Sequence, residues 1–541
     1  MSLRFRTAQY CLNIQSDMFK YILILSLISA IYTEDVVHVT VVTNKGPIQG
    51  YKNDGYKTFF GVPYAKVDEE NPFGNSLEYP TFETPFLAYD SSIICPQVTS
   101  KVGGILQCLR LNIYVPDTDD DDSPLPILVW FHGGGFVFGS AGDYGGQHLV
   151  KHGIIVITVN YRLGPYGFLC LKEPAVPGNQ GFKDQVMALK WIKAHIAAFG
   201  GDPNKVTIAG ESYGGGAVDL HLYSKYDVLF DKAIVESGSI FTPGFFVKRD
   251  TKAALKLAIY LGHNVNRTKS ALQLLAKENP LVVMSAARNL GLKLSACKEK
   301  RFKGVRNFVT KYPNCLNNAA RIKNTPILFG YNSKEDFGTF ASKPKQFYDE
   351  LGNIFYNNLR NNTDINDMEL EVVANITRKF YLGSKDVGPD AMLELTDYLS
   401  DFKLNHAAET SVNMYINQGA KVYKYLFSYI GGSIYSNVTG VGAMHTEELK
   451  YLFEVPTKLK TEEQVMMRER MTMMWAEFVK TGNPTPEKTD LLPETWVPAR
   501  GHARPYLNID VNMTMRDDVY RKRMAFWDLF WHKFEKKVMV Y

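Results

Sequence analysis

The chain has 541 residues, of which 45% are hydrophobic and 22% are charged, which is the composition of an ordinary globular protein. Disordered, collagen-like and disulfide-dense proteins are therefore excluded. The formal net charge of +5 is too mild a basic excess to indicate nucleic-acid binding. No basic run is long enough for a phosphate-binding patch, so we expect no nucleic-acid partner. Length alone allows three or four domains of about 150 residues each.

The N-terminus carries an apolar run at 21–31, YILILSLISAI, between a lysine and an acidic pair. This is the length of the apolar region of a signal peptide, and it is too short to cross a bilayer as a helix. We expect 1–32 to be a cleaved signal peptide, with Met18 as an alternative start; a short membrane anchor or a core strand are the other interpretations. No later apolar run reaches about 18 residues. The mature chain, 33–541, is therefore expected to be secreted, extracellular and without a stable membrane anchor.

Removal of that leader takes one of the six cysteines. The spacing of the rest favours two local disulfides in an oxidising compartment, Cys95 with Cys108 and Cys297 with Cys315. Cys170 is then left over, either as a buried free thiol or in a bridge to another chain. Asn-X-Ser/Thr sequons, which in a secreted protein indicate glycosylated surface loops, begin at Asn266, Asn361, Asn375, Asn437 and Asn512.

In chain order, the first half alternates β-rich apolar runs with helical stretches, as a mostly parallel sheet flanked by helices requires. A helix is predicted over 181–199, because apolar residues recur on one face and the pattern ends at Gly200. The regions 245–325 and 345–420 are more polar and helical, and they suit helices laid over the carboxyl ends of the strands. Strands are predicted at 127–131, 154–159, 206–209, 233–235, 326–330 and 422–428.

The segment 210–214, GESYG, fits the G-x-S-x-G turn that carries a nucleophilic serine. It stands directly after a predicted strand and before a helical stretch, which is the context that this motif needs. Upstream, the segment 132–136, HGGGF, also follows a strand, and such a loop offers backbone N–H groups to an oxyanion. A phosphate-binding loop is the other interpretation, but its Lys-Ser/Thr end is missing. The two segments predict nucleophilic hydrolysis at Ser212.

Both segments belong to a series of motifs in which the chain resembles the cholinesterase and carboxylesterase (type-B esterase) family of α/β-hydrolases. The series spans about residues 40–530, so the resemblance implies one large domain over 33–541. The implied fold is α/β, a large twisted and mostly parallel sheet flanked by helices, with helical insertions over the active-site face. The other motifs are 60–65 (FGVPYA), 95–97 (CPQ), 108–112 (CLRLN), 160–168 (NYRLGPYGF), 178–185 (GNQGFKDQ), 199–203 (FGGDP), 236–239 (ESGS), 444–453 (MHTEELKYLF), 475–478 (WAEF) and 481–484 (TGNP).

Chain order assigns the partners of the serine, because in this fold the acid follows the serine and the histidine follows the acid. Glu335 takes the acid position after the strand 326–330, with its neighbour Asp336 as the alternative. His445 lies in a segment that resembles the family's histidine loop. His132 is interpreted as a structural residue that holds the glycine loop.

The resemblance implies a serine esterase in which Ser212 attacks the ester carbonyl, His445 transfers the proton and Glu335 orients the imidazole. It implies no metal and no organic cofactor, and the expected partner is a small-molecule ester. The supporting groups that it implies are oxyanion donors on the backbone of Gly134, Gly135 and Tyr213, the carboxylate of Glu211 in the site, and the hydroxyl of Ser237 near the acid and the histidine.

The sequence departs from the family's pattern in three places. Tyr213 stands where the family usually has alanine, so a large ring must pack beside the nucleophile. Leu106 and Gln107 replace an acidic pair whose carboxylate would normally bind Arg162. That arginine needs another carboxylate, because an unpaired buried guanidinium is costly. Finally, Asp336 follows the acid in place of glycine, which predicts an altered turn.

The sequence determines the reaction more closely than the substrate. The segment 96–107 contains no aromatic residue that could hold a quaternary ammonium by a cation–π contact, so choline esters are disfavoured. Neutral carboxylic esters are favoured, in an insect-type carboxylesterase or a juvenile-hormone-esterase-like role.

The sequence also leaves two other classes of protein to consider. GESY occurs in serine carboxypeptidases, but the segments HGGGF and FGGDP argue against that class. The alternative from another class is a catalytically weak or inactive adhesion or binding ectodomain, and the intact serine, glutamate and histidine favour an enzyme.

Overall fold

The computed structural model of the protein describes residues 37–99, 102–117, 123–501 and 503–534. The expected signal peptide at 1–32 lies outside the described residues. Within them, 13 strands form one large sheet, and three two-stranded sheets accompany it. The strands are β1 (His38–Thr43), β2 (Gly46–Asn53), β3 (Tyr56–Pro63), β4 (Ala65–Lys66), β5 (Leu77–Glu78), β6 (Phe86–Leu87), β7 (Gln97–Val98), β8 (Val102–Gly103), β9 (Arg110–Pro116), β10 (Leu125–Phe131), β11 (Ile155–Val159), β12 (Gly201–Glu211), β13 (Lys232–Glu236), β14 (Phe246–Val247), β15 (Ala296–Cys297), β16 (Ile327–Asn332), β17 (Val422–Phe427), β18 (Pro505–Ile509) and β19 (Thr514–Asp517).

The large sheet has the order β1-β2-β3-β9-β11-β10-β12-β13-β16-β17-β18-β19, with β6 beside β2. Neighbouring strands from β11 to β18 pair in parallel. The pairs from β1 to β11 at one edge, and the pair of β18 with β19 at the other, are antiparallel. The predicted α/β class with a large, mostly parallel sheet is confirmed, and each of the six predicted strands is present with ends shifted by a few residues.

The helices lie between and beyond these strands. The predicted helix 181–199 is an α-helix over Gln180–His195 followed by a 3₁₀ turn, and it ends at Gly200, whose φ of 83° is left-handed. The α-helices are Gln147–Val150, Gly164–Phe168, Gln180–His195, Tyr213–Tyr223, Ala253–Tyr260, Thr268–Leu275, Pro280–Asn289, Ala319–Lys323, Phe337–Phe340, Lys345–Leu351, Ile354–Asn362, Asp367–Leu382, Met392–Ser400, His406–Asn417, Glu462–Thr481 and Arg521–Phe534. The short 3₁₀ turns are Ala141–Asp143, Ile196–Phe199, Pro313–Cys315, Pro389–Ala391 and Leu449–Tyr451, and Asp401–Asn405 is a π-helical turn.

The parallel strands are buried on both faces, which explains why they are continuous apolar runs in the sequence. Successive residues of β10 enter two different cores: Ile127 and Val129 pack into one, and Leu128 and Trp130 into the other. The helix Gln180–His195 covers the first core with Val186, Leu189 and Ile192. The helix Glu462–Thr481 covers the second core with Met467, Met471, Met474 and Trp475.

The disulfide prediction is half right. Cys95 and Cys108 form the expected bridge, with their Cα atoms 4.9 Å apart. The second bridge joins Cys170 to Cys297 across 127 residues. The predicted bridge between Cys297 and Cys315 is therefore wrong, and so is the prediction that Cys170 is a free thiol. Cys315 is free and exposed.

Tertiary contacts explain this pairing. Cys297 lies in β15, which pairs in parallel with β14, and the side chain of Asn179 hydrogen-bonds both its backbone N–H and its carbonyl oxygen. Gly178 lies beside the sulfur atoms; a Cβ there would come within 2.6 Å of Cys297 Sγ and 2.7 Å of Cys170 Sγ. Spacing along the chain favours short loops, but these long-range contacts decide which sulfur atoms meet.

The sequon asparagines are all exposed, which suits the predicted glycans; they are Asn266, Asn361, Asn375, Asn437 and Asn512. Among the described helices, none is both long enough and apolar enough to cross a membrane.

Candidate active site

Three predicted site residues follow neighbouring parallel strands, where the carboxyl ends of those strands meet one edge of the sheet. Ser212 directly follows β12, Glu335 lies three residues after β16, and His445 lies in the loop after β17. The strands β12, β13, β16 and β17 are consecutive in the sheet. Because open α/β sheets bind ligands at this edge, the topology brings residues far apart in sequence into one site.

Ser212 sits on a strained turn at the start of the helix Tyr213–Tyr223. Its φ of 57° and ψ of −127° are unusual for a residue with a side chain. The flanking glycines are required by contact: a Cβ at Gly214 would lie 2.1 Å from the carbonyl oxygen of Phe131, and a Cβ at Gly210 would lie 2.6 Å from the backbone of Gly214. The turn therefore presents the serine hydroxyl beyond the strand end.

A chain of hydrogen bonds joins the three residues. Ser212 Oγ lies 3.0 Å from His445 Nε2, and His445 Nδ1 lies 2.7 Å from Glu335 Oε2. The other oxygen of Glu335 accepts hydrogen bonds from Ser237 Oγ at 2.7 Å and from the backbone N–H of Asn332 at 2.6 Å. The carboxylate is thus held from both sides, which fixes the orientation of the imidazole.

Asp336, the alternative acid, faces elsewhere. Its Oδ1 accepts hydrogen bonds from Lys403 Nζ at 2.7 Å and from Thr339 Oγ1 at 3.2 Å. The backbone N–H of His445 instead donates to the carbonyl oxygen of Glu335, at 3.1 Å. The structure therefore brings Glu335, and not its neighbour, to the histidine.

The glycine loop passes directly beside the serine. Gly134 and Gly135 have φ values of 95° and 63°, and a Cβ at Gly133 would lie 3.0 Å from Ser212 Cβ. The ring of His132 stacks on Tyr161, with centroids 4.4 Å apart, and its Nδ1 lies 2.9 Å from the carbonyl oxygen of Gly133. These contacts agree with the interpretation of His132 as the residue that holds the loop.

Two residues that sequence reasoning missed tie the acid strand to the histidine loop. Asn332, the last residue of β16, donates from Nδ2 to the carbonyl oxygen of Met444 at 2.8 Å and also to Glu448. Glu448 is fully buried. Its place three residues after His445 in the matched motif was the available signal, but sequence alone does not indicate that its side chain turns inward.

Carboxylates dominate the electrostatics around the histidine. Glu211 is buried, and its Oε1 lies 3.1 Å from His445 Nε2. Burial alone would lower the pKa of His445, but the carboxylates of Glu211, Glu335 and Glu448 outweigh it and raise that pKa to about 10. Burial raises the pKa of Glu211 itself to about 7. The site therefore favours a positively charged imidazole, the state that forms when a serine proton is transferred to it.

Replacing Glu211 with glutamine is expected to move the acid limb of the kcat/KM profile to lower pH. If His445 is the base that accepts the serine proton, only its neutral imidazole can do so, and this limb follows the pKa of His445. Loss of a carboxylate that raises the pKa lets the ring deprotonate at lower pH. The measurement is kcat/KM against pH, with Glu477→Gln as a matched control, since Glu477 pairs with Lys480 and is not among the carboxylates that shift the pKa of His445. An unchanged or upward-shifted limb would contradict the assignment.

Arg162 is paired with a carboxylate, as the sequence predicted once the family's usual acidic partner was found to be missing. Its Nε and Nη2 each donate to Asp184 at 2.7 Å, and both side chains are fully buried. Its Nη1 donates to the carbonyl oxygens of Pro72 and Gly74 at 2.9 and 2.7 Å. The prediction of another partner is confirmed, and Asp184 lay unrecognised inside the matched motif GNQGFKDQ.

Two cavities meet beside the histidine. The Tyr213 chamber, of about 400 Å³, is lined by Ser212, Tyr213, Thr242, Phe245, Leu404 and Met444 among others. The Tyr144 chamber, of about 730 Å³, is lined by Phe138, Tyr144, Ile434, Met444, Leu449 and Val455 among others. Because Met444 lines both, the two chambers adjoin at the residue before His445, which itself lines the Tyr213 chamber. Among the described residues, no group of His, Cys, Asp or Glu side chains forms a metal site.

Comparison with known proteins agrees with this architecture. The model of the carboxylesterase family matches residues 37–527. The chain is 31% identical over 422 residues to a carboxylic ester hydrolase of Bombus ignitus, covering 72% of this chain and 74% of that protein. It is 30% identical over 486 residues to a juvenile hormone esterase of Heliothis virescens, covering 82% and 85%. It is 29% identical over 507 residues to esterase FE4 of Myzus persicae, covering 85% and 86%.

A mostly parallel sheet that carries a serine, an acid and a histidine in that order at its strand ends defines an α/β-hydrolase. Within that class, the chain belongs to the carboxylesterase family, and it is a carboxylic-ester hydrolase.

Proposed function

We propose that the protein is a secreted serine esterase that cleaves neutral carboxylic esters through an acyl-enzyme. The observation that carries the proposal is the hydrogen-bonded chain from Ser212 Oγ through His445 to Glu335, with distances of 3.0 and 2.7 Å. A serine hydroxyl becomes a strong nucleophile only when an oriented base can take its proton. These distances suit that transfer without any rearrangement.

In the first half of the reaction, Ser212 Oγ attacks the ester carbonyl while His445 Nε2 takes the hydroxyl proton. The bond from the carbonyl carbon to the alkoxy oxygen then breaks, and the alcohol leaves with the proton from His445. In the second half, the same imidazole takes a proton from water, the resulting hydroxide attacks the acyl-enzyme, and Ser212 regains its proton as the acid leaves. Glu335 stabilises the imidazolium in both halves.

The developing oxyanion would be bound by the backbone N–H groups of Gly134, Gly135 and Tyr213. The close passage of the glycine loop beside Ser212 supports this role. Each such donor contributes roughly 10²–10³ in rate where single donors have been removed. Ser237 would hold Glu335 in place, and Glu211 would stabilise the imidazolium from the side of Nε2.

The proposal of secretion rests on the predicted leader at 1–32, with 33–541 as one catalytic domain. Two disulfides, Cys95–Cys108 and Cys170–Cys297, suit an oxidising compartment. The five exposed sequon asparagines suit glycosylation in the same pathway. The proposal of neutral esters rests on the lack of an aromatic residue in 96–107. Apolar side chains in both chambers support it, beside charged residues of both signs.

A fluorophosphonate probe is expected to label the folded protein at one site, because it reacts with activated serine hydroxyls. The label should lie on the peptide that contains Ser212, and heat-denatured protein should stay unlabelled. Mass spectrometry of the digested protein is the measurement. Folded protein that takes up no label would favour the non-catalytic binding ectodomain, which needs no hydrogen-bonded serine.

A further inference from the structure

The ring of Tyr213 is a feature that the reaction itself does not use. It packs edge-on against Phe136, with ring centroids 4.9 Å apart, and obliquely against Phe245 at 5.4 Å. Phe136 and Phe245 are themselves 5.6 Å apart, and both are almost fully buried. We call these three rings the aromatic wall. Two of its members, Tyr213 and Phe245, line the Tyr213 chamber.

Two glycines make room for these rings and fix them in place. Gly244 has a φ of 85°, and a Cβ there would lie 3.6 Å from Tyr213 Oη, so any longer side chain would meet the phenol. A Cβ at Gly216 would lie 2.3 Å from the ring of Phe245. The local sequence thus leaves room for large rings beside Ser212, and Phe245 packs closely against the helix Tyr213–Tyr223 at Gly216.

The direction of the reaction decides which part of an ester faces the wall. The alkoxy oxygen must lie near His445 Nε2, which gives it a proton as it leaves. The acyl group, on the other side of the carbonyl carbon, then points away from the histidine. The backbone N–H of Tyr213 holds the oxyanion in the proposed mechanism, so the ring on the same residue stands beside that acyl group.

The chambers differ in size in a way that fits this orientation. The Tyr213 chamber holds about 400 Å³, and the Tyr144 chamber, which shares Met444 with it, holds about 730 Å³. The larger chamber is lined by apolar side chains that include Ile434, Leu449 and Val455, with the charged residues Asp143, Glu447, Lys450 and Glu454 also in its lining. An alcohol of considerable length can be accommodated there, whereas a long acyl chain meets the aromatic wall.

We propose that Tyr213 sets the acyl specificity, so that the preferred substrates are esters of a short acyl group with a large apolar alcohol. This inference rests on the proposed serine-esterase function and deepens it. The acyl specificity comes from the side chain of Tyr213, whereas the backbone N–H of the same residue would bind the oxyanion of every ester alike. A methyl ester of a long acyl chain is the opposite class and is expected to be a poor substrate.

Octyl acetate and methyl nonanoate test the proposal directly, because they are isomers with the same atoms divided differently about the carbonyl. The wild-type protein is expected to have at least a tenfold higher kcat/KM for octyl acetate than for methyl nonanoate. A single methylene that a pocket does not accommodate can change kcat/KM by about 10–200-fold. Tyr213→Ala should raise kcat/KM for methyl nonanoate and reduce that ratio at least tenfold. Tyr213→Phe keeps the ring and should keep the ratio.

Controls separate this inference from the function on which it rests. Tyr260 is exposed on the helix Ala253–Tyr260, so Tyr260→Ala should leave the ratio unchanged. Two results would overturn the role of Tyr213 and leave the serine-esterase function standing. One is a wild-type protein that turns over methyl nonanoate as well as octyl acetate or better. The other is a Tyr213→Ala protein that still labels with fluorophosphonate and keeps the wild-type ratio of the two kcat/KM values. Wild-type protein that takes no fluorophosphonate label would overturn the serine-esterase function and this inference with it.

Discussion

Replacing Ser212 with alanine is expected to lower kcat for a p-nitrophenyl ester by roughly 10⁶-fold, the size of effect that removal of a nucleophilic serine has in a comparable triad. The oxygen of this hydroxyl is the atom that would form the acyl bond. The other serine in the hydrogen-bonded chain, Ser237, donates its hydrogen bond to Glu335 and not to the histidine. Alanine keeps the Cβ that the strained turn accommodates, so secretion and thermal stability should not change. Rate measurements and thermal unfolding on the same preparation check both parts.

Ser342 offers a matched control for this substitution. It is a second serine with a positive φ, 58°, and it is exposed on the surface. Ser342→Ala therefore makes the same chemical change at the same kind of backbone position, and it should leave turnover unaffected. Residual turnover of Ser212→Ala within about tenfold of wild type would show that another group is the nucleophile.

Replacing Asp184 with asparagine is expected to destabilise the protein by about 3–5 kcal/mol, the cost of breaking a buried ion pair from one side. Arg162 would keep its charge in a site without solvent access, with an amide in place of the carboxylate that both its Nε and Nη2 contact. Denaturant titration of purified protein measures the free energy of unfolding. Lower secreted yield is expected as well.

An exposed pair provides the comparison. Asp349 pairs with Lys345 on a helix surface where both side chains are more than half exposed. The same change there, Asp349→Asn, should cost less than about 1 kcal/mol, because solvent screens exposed ion pairs. Equal losses at the two sites would mean that the burial of Arg162 and Asp184 does not decide the energetics.

Much of the fold could be predicted from the sequence, because its signals are local. The six predicted strands are all present, since a strand buried on both faces is a continuous apolar run wherever it lies in the sheet. The helix Gln180–His195 followed from its apolar periodicity and from the glycine at its end. The segments around Ser212 and Gly134 were recognisable because a sharp turn needs glycine at fixed offsets from the functional residue.

The candidate site was predictable only as far as motif order reached. Motif order along the chain identified Ser212, Glu335 and His445 as candidates. In the structure, His445 lies within hydrogen-bonding distance of both Ser212 and Glu335. The choice between Glu335 and Asp336 could not be made from spacing, because adjacent residues differ by only one position in their distance along the chain to the histidine. Their contacts separate them: one carboxylate meets the imidazole and the other meets Lys403.

The sequence by itself therefore determined the class of fold, and it predicted Ser212 as the nucleophile and the need of Arg162 for a new carboxylate. Only the tertiary structure decided that Asp184 supplies this carboxylate and that Cys170 bridges to Cys297. It also decided that the ring of Tyr213 forms one wall of the chamber beside the serine. The physical reason is common to all three: each depends on which side chains a folded sheet and its helices bring together across long stretches of chain. Neither composition, periodicity nor spacing contains that information.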